Sequence, residues 1–392
     1  MAENEALQQS LRGCVQRILE RAWGESIEVG RFEVLRERKC FRAHLSSGSG
    51  GLPSRVIVKR AREEEGVPID PDSASPNPAH RLLDEWASLE FLRNLGAEHH
   101  LAPLLYGGDR GSCAIVYEDF GPGSSLADAL MGDSPDEAAS ALRAHAKAVA
   151  CLHHLTSASE ELYVNLRDSL GPRVEFREGL GWTRLDYERK RIERGLEAIN
   201  IRPEPSFWDE YESMSVAVSR PGAFRAFVHN DSCPDNTWMT GNDLKLIDFE
   251  RGGYHHRLID AVYARMSMPH CYLANIVPMD VVHETEKEYR AWVDCIAGLR
   301  ADGQQFEKEL VHACFFWVVS SGIFRIEESL LEDTEWGIST WRQRVIHRLA
   351  ALASACDEFE HMPATSRVAR EAKRRLEGVW RTEPMPVFPA FR

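Results

Sequence analysis

Residues 229–236 read His-Asn-Asp-Ser-Cys-Pro-Asp-Asn, and residues 246–250 read Leu-Ile-Asp-Phe-Glu. An apolar, strand-like run precedes the first stretch, and a turn sequence at 241–243 predicts a hairpin between the two. This hairpin would bring Asp248 back beside Asn236. An Asp carboxylate and an Asn amide are hard oxygen ligands that Mg²⁺ prefers, and a further carboxylate can orient a hydroxyl nucleophile and accept its proton. The two stretches therefore predict phosphoryl transfer from a magnesium-bound triphosphate.

The spacing H-x-D-x-x-x-x-N, followed by Ile-Asp-Phe-Glu, resembles the catalytic and metal-binding loops of the protein-kinase-like fold. Because the second motif ends in Glu instead of Gly, it is more similar to aminoglycoside phosphotransferases and choline kinases. This resemblance implies that Asp231 is the catalytic aspartate. It also implies that Asn236 and Asp248 are Mg²⁺ ligands and that His229 braces the backbone of the loop.

Two earlier residues fit the same resemblance. Lys59 ends the buried run Arg-Val-Ile-Val-Lys, as a phosphate-binding lysine would, and Glu85 lies in a following helix. The resemblance implies that Glu85 pairs with Lys59, although Asp84 and Glu90 are competing carboxylates in the same helix. A solvated lysine at a strand end and a surface glutamate are the alternatives.

The resemblance extends over residues 27–262 by the order of the motifs. Residues 116–121 resemble the linker between two lobes, which implies that the backbones of Tyr117 and Asp119 meet the adenine. Asp260 resembles a later aspartate that supports the catalytic loop; the alternative is an ordinary helix cap.

The sequence departs from the family pattern where a glycine-rich nucleotide loop is expected. Residues 36–42 read Arg-Glu-Arg-Lys-Cys-Phe-Arg and contain no glycine. Arg36, Arg38 and Lys39 could meet phosphate directly. Asp235 stands where a glycine is common and adds a carboxylate to the metal-binding loop.

Periodicity predicts a chain of α+β class, and the family resemblance implies a bilobal, protein-kinase-like fold. An N-terminal nucleotide-binding lobe (1–118) would contain an antiparallel sheet, and a larger helical lobe (119–392) would hold the catalytic loop and the substrate. A proline-rich loop is expected at 62–79. The predicted helices of the first lobe are 5–23 and 80–94, and the predicted strands are 27–35, 40–45, 55–59, 103–106 and 113–117. The predicted elements of the second lobe include a helix from Ser134 to about His153, strands 224–228, 237–240 and 244–247, and helices between 257 and 380.

The composition limits the classes of partner. The 392 residues carry 61 acidic and 47 basic side chains, a formal net charge of −14, which disfavours nucleic acid and anionic membranes and favours a cationic acceptor.

Nine cysteines without a CxxC motif predict reduced thiols. Neither a signal peptide nor an apolar run of membrane-spanning length is present, so we expect a cytoplasmic protein.

Several other features have a structural interpretation that competes with a functional one. Paired histidines at 99–100, 153–154 and 255–256 lack the spacing of zinc ligands. Trp317, Trp336 and Trp341 are more typical of a core than of a substrate cage. The acidic residues between 327 and 335 are typical of a solvated helix face, but they could also line a pocket for a cation.

These patterns together predict a kinase that transfers the γ-phosphate of ATP to a hydroxyl of a small molecule, with Mg²⁺ as cofactor. Antibiotics, amino sugars and amino alcohols all fit, and the motifs do not distinguish ATP from GTP. One alternative is a nucleotide-binding pseudokinase or scaffold, which the loop without glycines favours. A protein kinase is the other, and the Asp-Phe-Glu motif and the missing Ala-Pro-Glu segment disfavour it. Nothing in the sequence indicates an oligomeric state.

Overall fold

The computed structural model describes residues 2–47, 51–64, 66–96, 101–174, 185–241, 243–294 and 302–392. The chain divides into two units, each of which is described by itself. Unit 1 comprises Met1–Gly123, Ser159–Phe176 and Lys245–Gly252, and unit 2 comprises Ser124–Ala158, Arg177–Leu244 and Gly253–Arg392. The predicted lobe boundary after residue 118 stays a prediction.

Unit 1 is built on an antiparallel five-stranded sheet with the strand order β1-β2-β3-β5-β4. Its strands are β1 (Ile27–Arg36), β2 (Cys40–Ser47), β3 (Arg55–Arg60), β4 (Leu105–Asp109) and β5 (Ala114–Glu118). Three helices belong to the same unit: α1 (Ala2–Trp23), α2 (Pro78–Asn94) and α5 (Glu160–Ser169).

The core of unit 1 lies between α1 and the sheet. Leu11, Val15 and Ile18 of α1 share one helical face and pack with buried residues such as Phe41 and Val56 of the sheet. The helix ends at Gly24, whose φ of +71° is a conformation that glycine adopts at low cost. The predicted helix over 5–23 is therefore confirmed.

Helix α2 carries a glutamate toward the middle of the sheet. Asn77 caps the helix by accepting a hydrogen bond from the Ala79 amide at 3.0 Å, and Pro78 occupies the first helical position. Glu85 lies on its buried face. This cap begins α2 two residues before the predicted start at residue 80.

Unit 2 is mainly helical, and its longest helices form the core. Among them, α4 begins after Ser134, whose hydroxyl accepts a hydrogen bond from the Glu137 amide. The helices are α3 (Leu126–Met131), α4 (Pro135–Thr156), α6 (Leu185–Ala198), α7 (Pro205–Ser219), α8 (Leu258–Ala261), α9 (Met279–Asp294), α10 (Gly303–Ser321), α11 (Ile326–Leu331), α12 (Trp341–Glu358) and α13 (Pro363–Val379).

Short strands flank the motif region. β6 (Arg225–Val228) leads into residue 229, and β7 (Thr237–Thr240) pairs with β8 (Asp243–Leu246), as the turn sequence predicted. Three further strands were not predicted: β9 (Gly253–His256), which pairs with β6, and β10 (Glu335–Trp336) with β11 (Ser339–Thr340). The sheet in unit 1 and the helices of unit 2 confirm the predicted α+β class.

The cysteines correct one expectation. Cys233 and Cys271 form a disulfide, so the prediction that all thiols are reduced is wrong for this pair. Six other described cysteines are free, and Cys295 lies outside the described residues, as does the pair His99 and His100. None of the described helices combines the length and the apolar character needed to cross a membrane.

Candidate active site

In unit 1, Lys59 lies among three carboxylates. Strand β3 buries its four central residues and carries the lysine next to α2, so that only 5% of Lys59 is exposed. Its Nζ atom lies 2.5 Å from Glu85 Oε2, 2.5 Å from Asp248 Oδ1 and 3.6 Å from Glu250 Oε2. Lys59 therefore contacts both of the other predicted residues, Glu85 and Asp248.

Burial and neighbouring charges shift the pKa values of Lys59, Glu85 and Asp248. Burial lowers the pKa of Lys59, but the carboxylates of Asp248, Glu85 and Glu250 outweigh it and hold that pKa well above its usual value. Burial raises the pKa of Glu85 to about 7, against the attraction of Lys59. Burial would also raise the pKa of Asp248, but Lys59 and Lys39 hold it well below the usual range. Of these two carboxyl groups, Glu85 is thus the one that gains a proton more readily.

Two cations from the turn between β1 and β2 complete this cluster. Lys39 Nζ lies 2.7 Å from Glu250 Oε2, and Arg36 reaches Asp248 Oδ2 at 3.8 Å. Together with Lys59 they match the three carboxylates in charge. The turn forms without glycine because Arg38 adopts a positive φ of 58°.

The two competing carboxylates of α2 have other partners. Asp84 pairs with Arg167 of α5, and Glu90 pairs with Arg93 one helical turn further on. Glu85, which is 1% exposed, is the acidic residue of α2 that faces Lys59. Periodicity alone could not make this selection, because it depends on which way the helix faces the sheet.

The two residues expected to meet the adenine lie at the end of β5. Tyr117 is in this inner strand, between β3 and β4, and Asp119 follows the strand. The Asp119 carboxylate accepts hydrogen bonds from Arg42 Nε at 2.7 Å and from the Gly121 amide at 3.0 Å. These bonds fix the chain where it leaves the sheet.

In unit 2, Asp260 holds the start of the 229–236 loop. One carboxylate oxygen accepts the His229 amide at 2.7 Å, and the other accepts the Asn230 amide at 3.0 Å. Asp260 is 2% exposed, and His153 Nε2 lies 3.5 Å from it. Burial opposes ionisation of Asp260, but hydrogen bonds from His153 and from the His229 backbone keep its pKa below the usual range. The predicted support of the loop by Asp260 is confirmed as a contact.

Both motifs contain a residue in the left-handed region of backbone space. Asn230 has a φ of 63° and Asp248 a φ of 65°. Asparagine and aspartate tolerate this conformation better than most residues with a side chain. Such conformations cluster where the surrounding structure over-determines the backbone, as at functional sites.

The loop places Asp231 and Asn236 side by side. The Asn236 side-chain amide donates a hydrogen bond to the Asp231 backbone carbonyl at 2.9 Å, and the Cys233 amide donates to the same carbonyl at 2.7 Å. Asp231 is partly exposed, whereas Asn236 is 7% exposed. Both residues belong to unit 2, and Asp248 belongs to unit 1.

The donors present suit a divalent cation. One oxygen from each of Glu85, Asp248 and Glu250 lies within 4.8 Å of the others, and all three are hard ligands. Glu250 lies within the second sequence motif, but it was not predicted as a site residue. The signal was available, because a second carboxylate two positions after Asp248 can share a cation with it.

The paired histidines, the acidic residues near 327 and the three tryptophans differ in their surroundings. Among the described residues, the groups that could hold a metal contain no histidine. Glu327 and Glu328 pair with the α6 residues Arg194 and Arg191, as acids on a solvated helix face commonly do. Trp317 is fully buried, as a core residue would be, whereas Trp336 and Trp341 are half-buried and stack at 5.2 Å.

Solved structures with similar folds are choline kinases and aminoglycoside phosphotransferases. Choline kinase LicA from Streptococcus pneumoniae is 15% identical and has a TM-score of 0.48; the match covers 87% of this chain and 98% of that one. An aminoglycoside phosphotransferase from Alicyclobacillus acidocaldarius is 9% identical, with a TM-score of 0.43 and coverages of 89% and 93%. The streptomycin–ATP–APH(2″)-IIa complex is 14% identical, with a TM-score of 0.41 and coverages of 77% and 89%.

No curated protein matches the chain. The sequence model of the family described as APH, phosphotransferase enzyme family, matches residues 44–292, more than half of the 392 residues. This range contains Lys59, Glu85, the 229–236 loop, Asp248 and Asp260. The match confirms the family that the motifs resembled, and the chain belongs to the phosphotransferase enzyme family.

Proposed function

We propose that the protein transfers the γ-phosphate of ATP to a hydroxyl group of a small molecule. The observation that carries this proposal is the buried Lys59 ammonium, 2.5 Å from both Glu85 and Asp248. Removing a cation and its carboxylate partners from water is costly, and perturbed groups of this kind are typical of functional sites. A nucleoside triphosphate with its divalent cation is a ligand that suits a cluster of positive and negative side chains.

Each residue would have a separate task. Lys59 would hold the α- and β-phosphates, and Glu85 would keep the ammonium in place. Asp231 would orient the acceptor hydroxyl and take its proton as the new oxygen–phosphorus bond forms. Most of the rate gain would come from positioning and charge neutralisation, because the Asp231 carboxylate is only a weak base.

Asn236 and Asp248 would hold Mg²⁺, an assignment that rests on the two motifs. Bound there, the ion would neutralise charge on the phosphate oxygens. The carboxylates of Glu85 and Glu250 add donors next to Asp248. GTP would satisfy the same phosphate contacts.

Arg36 and Lys39 would replace the missing glycine-rich loop. In that loop, backbone amides bind phosphate oxygens, whereas here two side chains of the β1–β2 turn carry full positive charges. Arg36 is paired with Asp248, and Lys39 is paired with Glu250. On binding, they would exchange these carboxylates for phosphate oxygens.

The acceptor would be a hydroxylated amine. The net charge of −14 supports a cationic acceptor over an anionic one. Amino sugars, amino alcohols and antibiotics that contain them belong to this class. We keep the cytoplasm as the proposed compartment.

A nucleotide-binding scaffold without transfer activity is the second candidate. It is favoured by one observation, the cations of the glycine-free turn that already pair with Asp248 and Glu250. A scaffold of this kind would bind nucleotide with little dependence on Mg²⁺.

Thermal unfolding with ATP, with and without Mg²⁺, separates the two candidates. We expect Mg²⁺ to increase the stabilisation by ATP, and Asp248→Asn to remove this increase, because a neutral amide holds the ion less strongly. Asp280→Asn, at an exposed position, is the control. Equal stabilisation with and without Mg²⁺ in the wild-type protein would favour the scaffold.

A further inference from the structure

The disulfide lies inside the loop that carries the proposed catalytic residues. Cys233 is two residues after Asp231 and three before Asn236, and its partner Cys271 is 38 positions further along the chain. Both cysteines are buried, with 5% and 1% of their surface exposed. No feature of the phosphotransfer mechanism requires this bond.

Asp260 holds the beginning of the loop by binding the amides of His229 and Asn230. Two backbone hydrogen bonds around residue 233 connect the loop to itself. The Cys233 amide donates to Asp231 O at 2.7 Å, and the Asn236 amide donates to Cys233 O at 2.9 Å. The disulfide therefore ties the middle of the loop to a second segment.

The segment that carries Cys271 is a firm anchor. Two buried arginines of α12 bind its backbone: Arg344 donates to Cys271 O at 2.7 Å, and Arg348 donates to Pro269 O at 2.7 Å. Just before them, Ser267 and Met268 both have positive φ angles. A covalent bond to such a fixed point restricts the positions that the loop can take.

The remaining described cysteines indicate that this bond is not one of a set of disulfides that stabilise the fold. Six described cysteines are free, four of them buried. In the cytosol, which is the compartment proposed above, the disulfides that do occur are usually transient and not structural. We propose that Cys233 and Cys271 form a redox modification site whose oxidised form braces the loop around Asp231 and whose reduced form releases it.

A low-molecular-weight disulfide can serve as the oxidant that forms the bond between Cys233 and Cys271. The Cys233 thiolate attacks one sulfur of that disulfide and releases one thiol. The Cys271 thiolate then attacks the Cys233 sulfur, forms the internal bond and releases the second thiol. A dithiol reverses both steps and leaves as its own disulfide, so two electrons and two protons are exchanged in each direction.

The first test counts thiols in the full chain. After treatment with oxidised glutathione or with dithiothreitol, the protein is alkylated in denaturant and its intact mass is measured. Because nine cysteines are present and two are bonded, we expect seven alkylated thiols after oxidation and nine after reduction. Nine thiols in both states would overturn the proposal, as would a divalent metal ion held by Cys233, Asp235 and Cys271 in the native protein.

The second test measures amide hydrogen exchange in residues 229–236. We expect exchange at least about 10-fold faster in the reduced protein, since a released loop opens more often. Cys271→Ala should exchange fast in both states, whereas Cys151→Ala, which removes a free thiol of α4, should respond like the wild-type protein. Equal exchange in the oxidised and reduced wild-type protein would overturn the brace, even if Cys271→Ala fails to fold.

A third readout rests on the proposed function. If the protein transfers phosphate, reduction should lower turnover by about 10-fold or more, because a small displacement of a catalytic group has effects of that size. A chain that cycles between seven and nine thiols and loosens its loop, but transfers no phosphate in either state, would refute the proposed function and leave the modification site standing.

Discussion

At the scale of single residues, the Lys59 cluster shows how burial and charge determine which group carries a proton. Three carboxylates share one buried ammonium, and the half-buried Lys39 and the exposed Arg36 complete the balance. Glu85, the most buried of the three acids, has its pKa raised to about 7 by burial. Asp248 stays ionised because Lys59 and Lys39 hold its pKa down against the effect of burial.

The raised pKa of Glu85 predicts a specific pH dependence of stability. Between its usual pKa of 4.5 and about 7, Glu85 binds a proton in the folded protein but not in the unfolded chain. Raising the pH through this window therefore lowers the free energy of unfolding, by at most about 1.4 kcal/mol per pH unit. Asp248 contributes outside this window, because its stabilisation is lost only as the pH falls below about 4.

Urea unfolding of Glu85→Gln between pH 5 and pH 8 checks this prediction. The variant cannot titrate at this position, so we expect its stability to vary less with pH than that of the wild-type protein. Glu332→Gln removes an exposed carboxylate and should keep the wild-type dependence. Parallel pH profiles for the wild-type protein and Glu85→Gln would show that Glu85 does not titrate in this range.

The sequence could identify only part of this cluster. Lys59, Glu85 and Asp248 were found because they occupy positions in motifs. The pairs Arg36–Asp248 and Lys39–Glu250 depend on which side chains a turn brings together across about 210 positions of the chain. The Cys233–Cys271 bond was missed for the same reason, since nothing in the spacing of the nine cysteines marks these two.

At the scale of elements, local signals fixed the strands and helices that have strong patterns. The predicted hairpin at 237–247 formed, and every strand predicted in unit 1 is present within three residues at either end. β9 was missed because Gly-Tyr-His-His has no apolar alternation. It is a strand because it pairs with β6, where Tyr254 lies opposite Phe227 with their rings 5.8 Å apart.

The β1–β2 turn carries a prediction of its own. If Arg36 and Lys39 bind phosphate, replacing both by Ala should raise the Kd for ATP at least about 10-fold, since one charge-assisted hydrogen bond contributes about 1.5–3 kcal/mol. The double variant Arg31→Ala with Arg62→Ala removes two exposed arginines of unit 1 and serves as the matched control.

Isothermal titration of ATP in the presence of Mg²⁺, at two salt concentrations, measures this effect. The loss of affinity should shrink at high salt, where phosphate contacts are screened. Tighter ATP binding by the Arg36 and Lys39 variant would instead mean that these cations block the carboxylates, which would contradict a role in phosphate binding.

At the scale of the whole molecule, the proposed machinery is divided between the two units. Unit 1 contains Lys59, Glu85 and Asp248, whereas unit 2 contains Asp231 and Asn236. The family match at residues 44–292 contains the site residues of both units. The order of these motifs along the chain was therefore enough to predict the fold class. Net charge, by contrast, limits only the class of acceptor.

Phosphoryl transfer itself is measured by following the labelled γ-phosphate of ATP into small hydroxylated amines. The proteins compared are the wild type, Asp231→Asn and, as the control, Asp280→Asn. We predict a phosphorylated product with the wild-type protein and the control. Asp231→Asn should lower turnover by about 100-fold or more, in line with the loss of a positioned base, while the Kd for ATP changes by less than about 3-fold. Transfer by Asp231→Asn at a rate near that of the wild-type protein would contradict the assignment of Asp231 as the catalytic base.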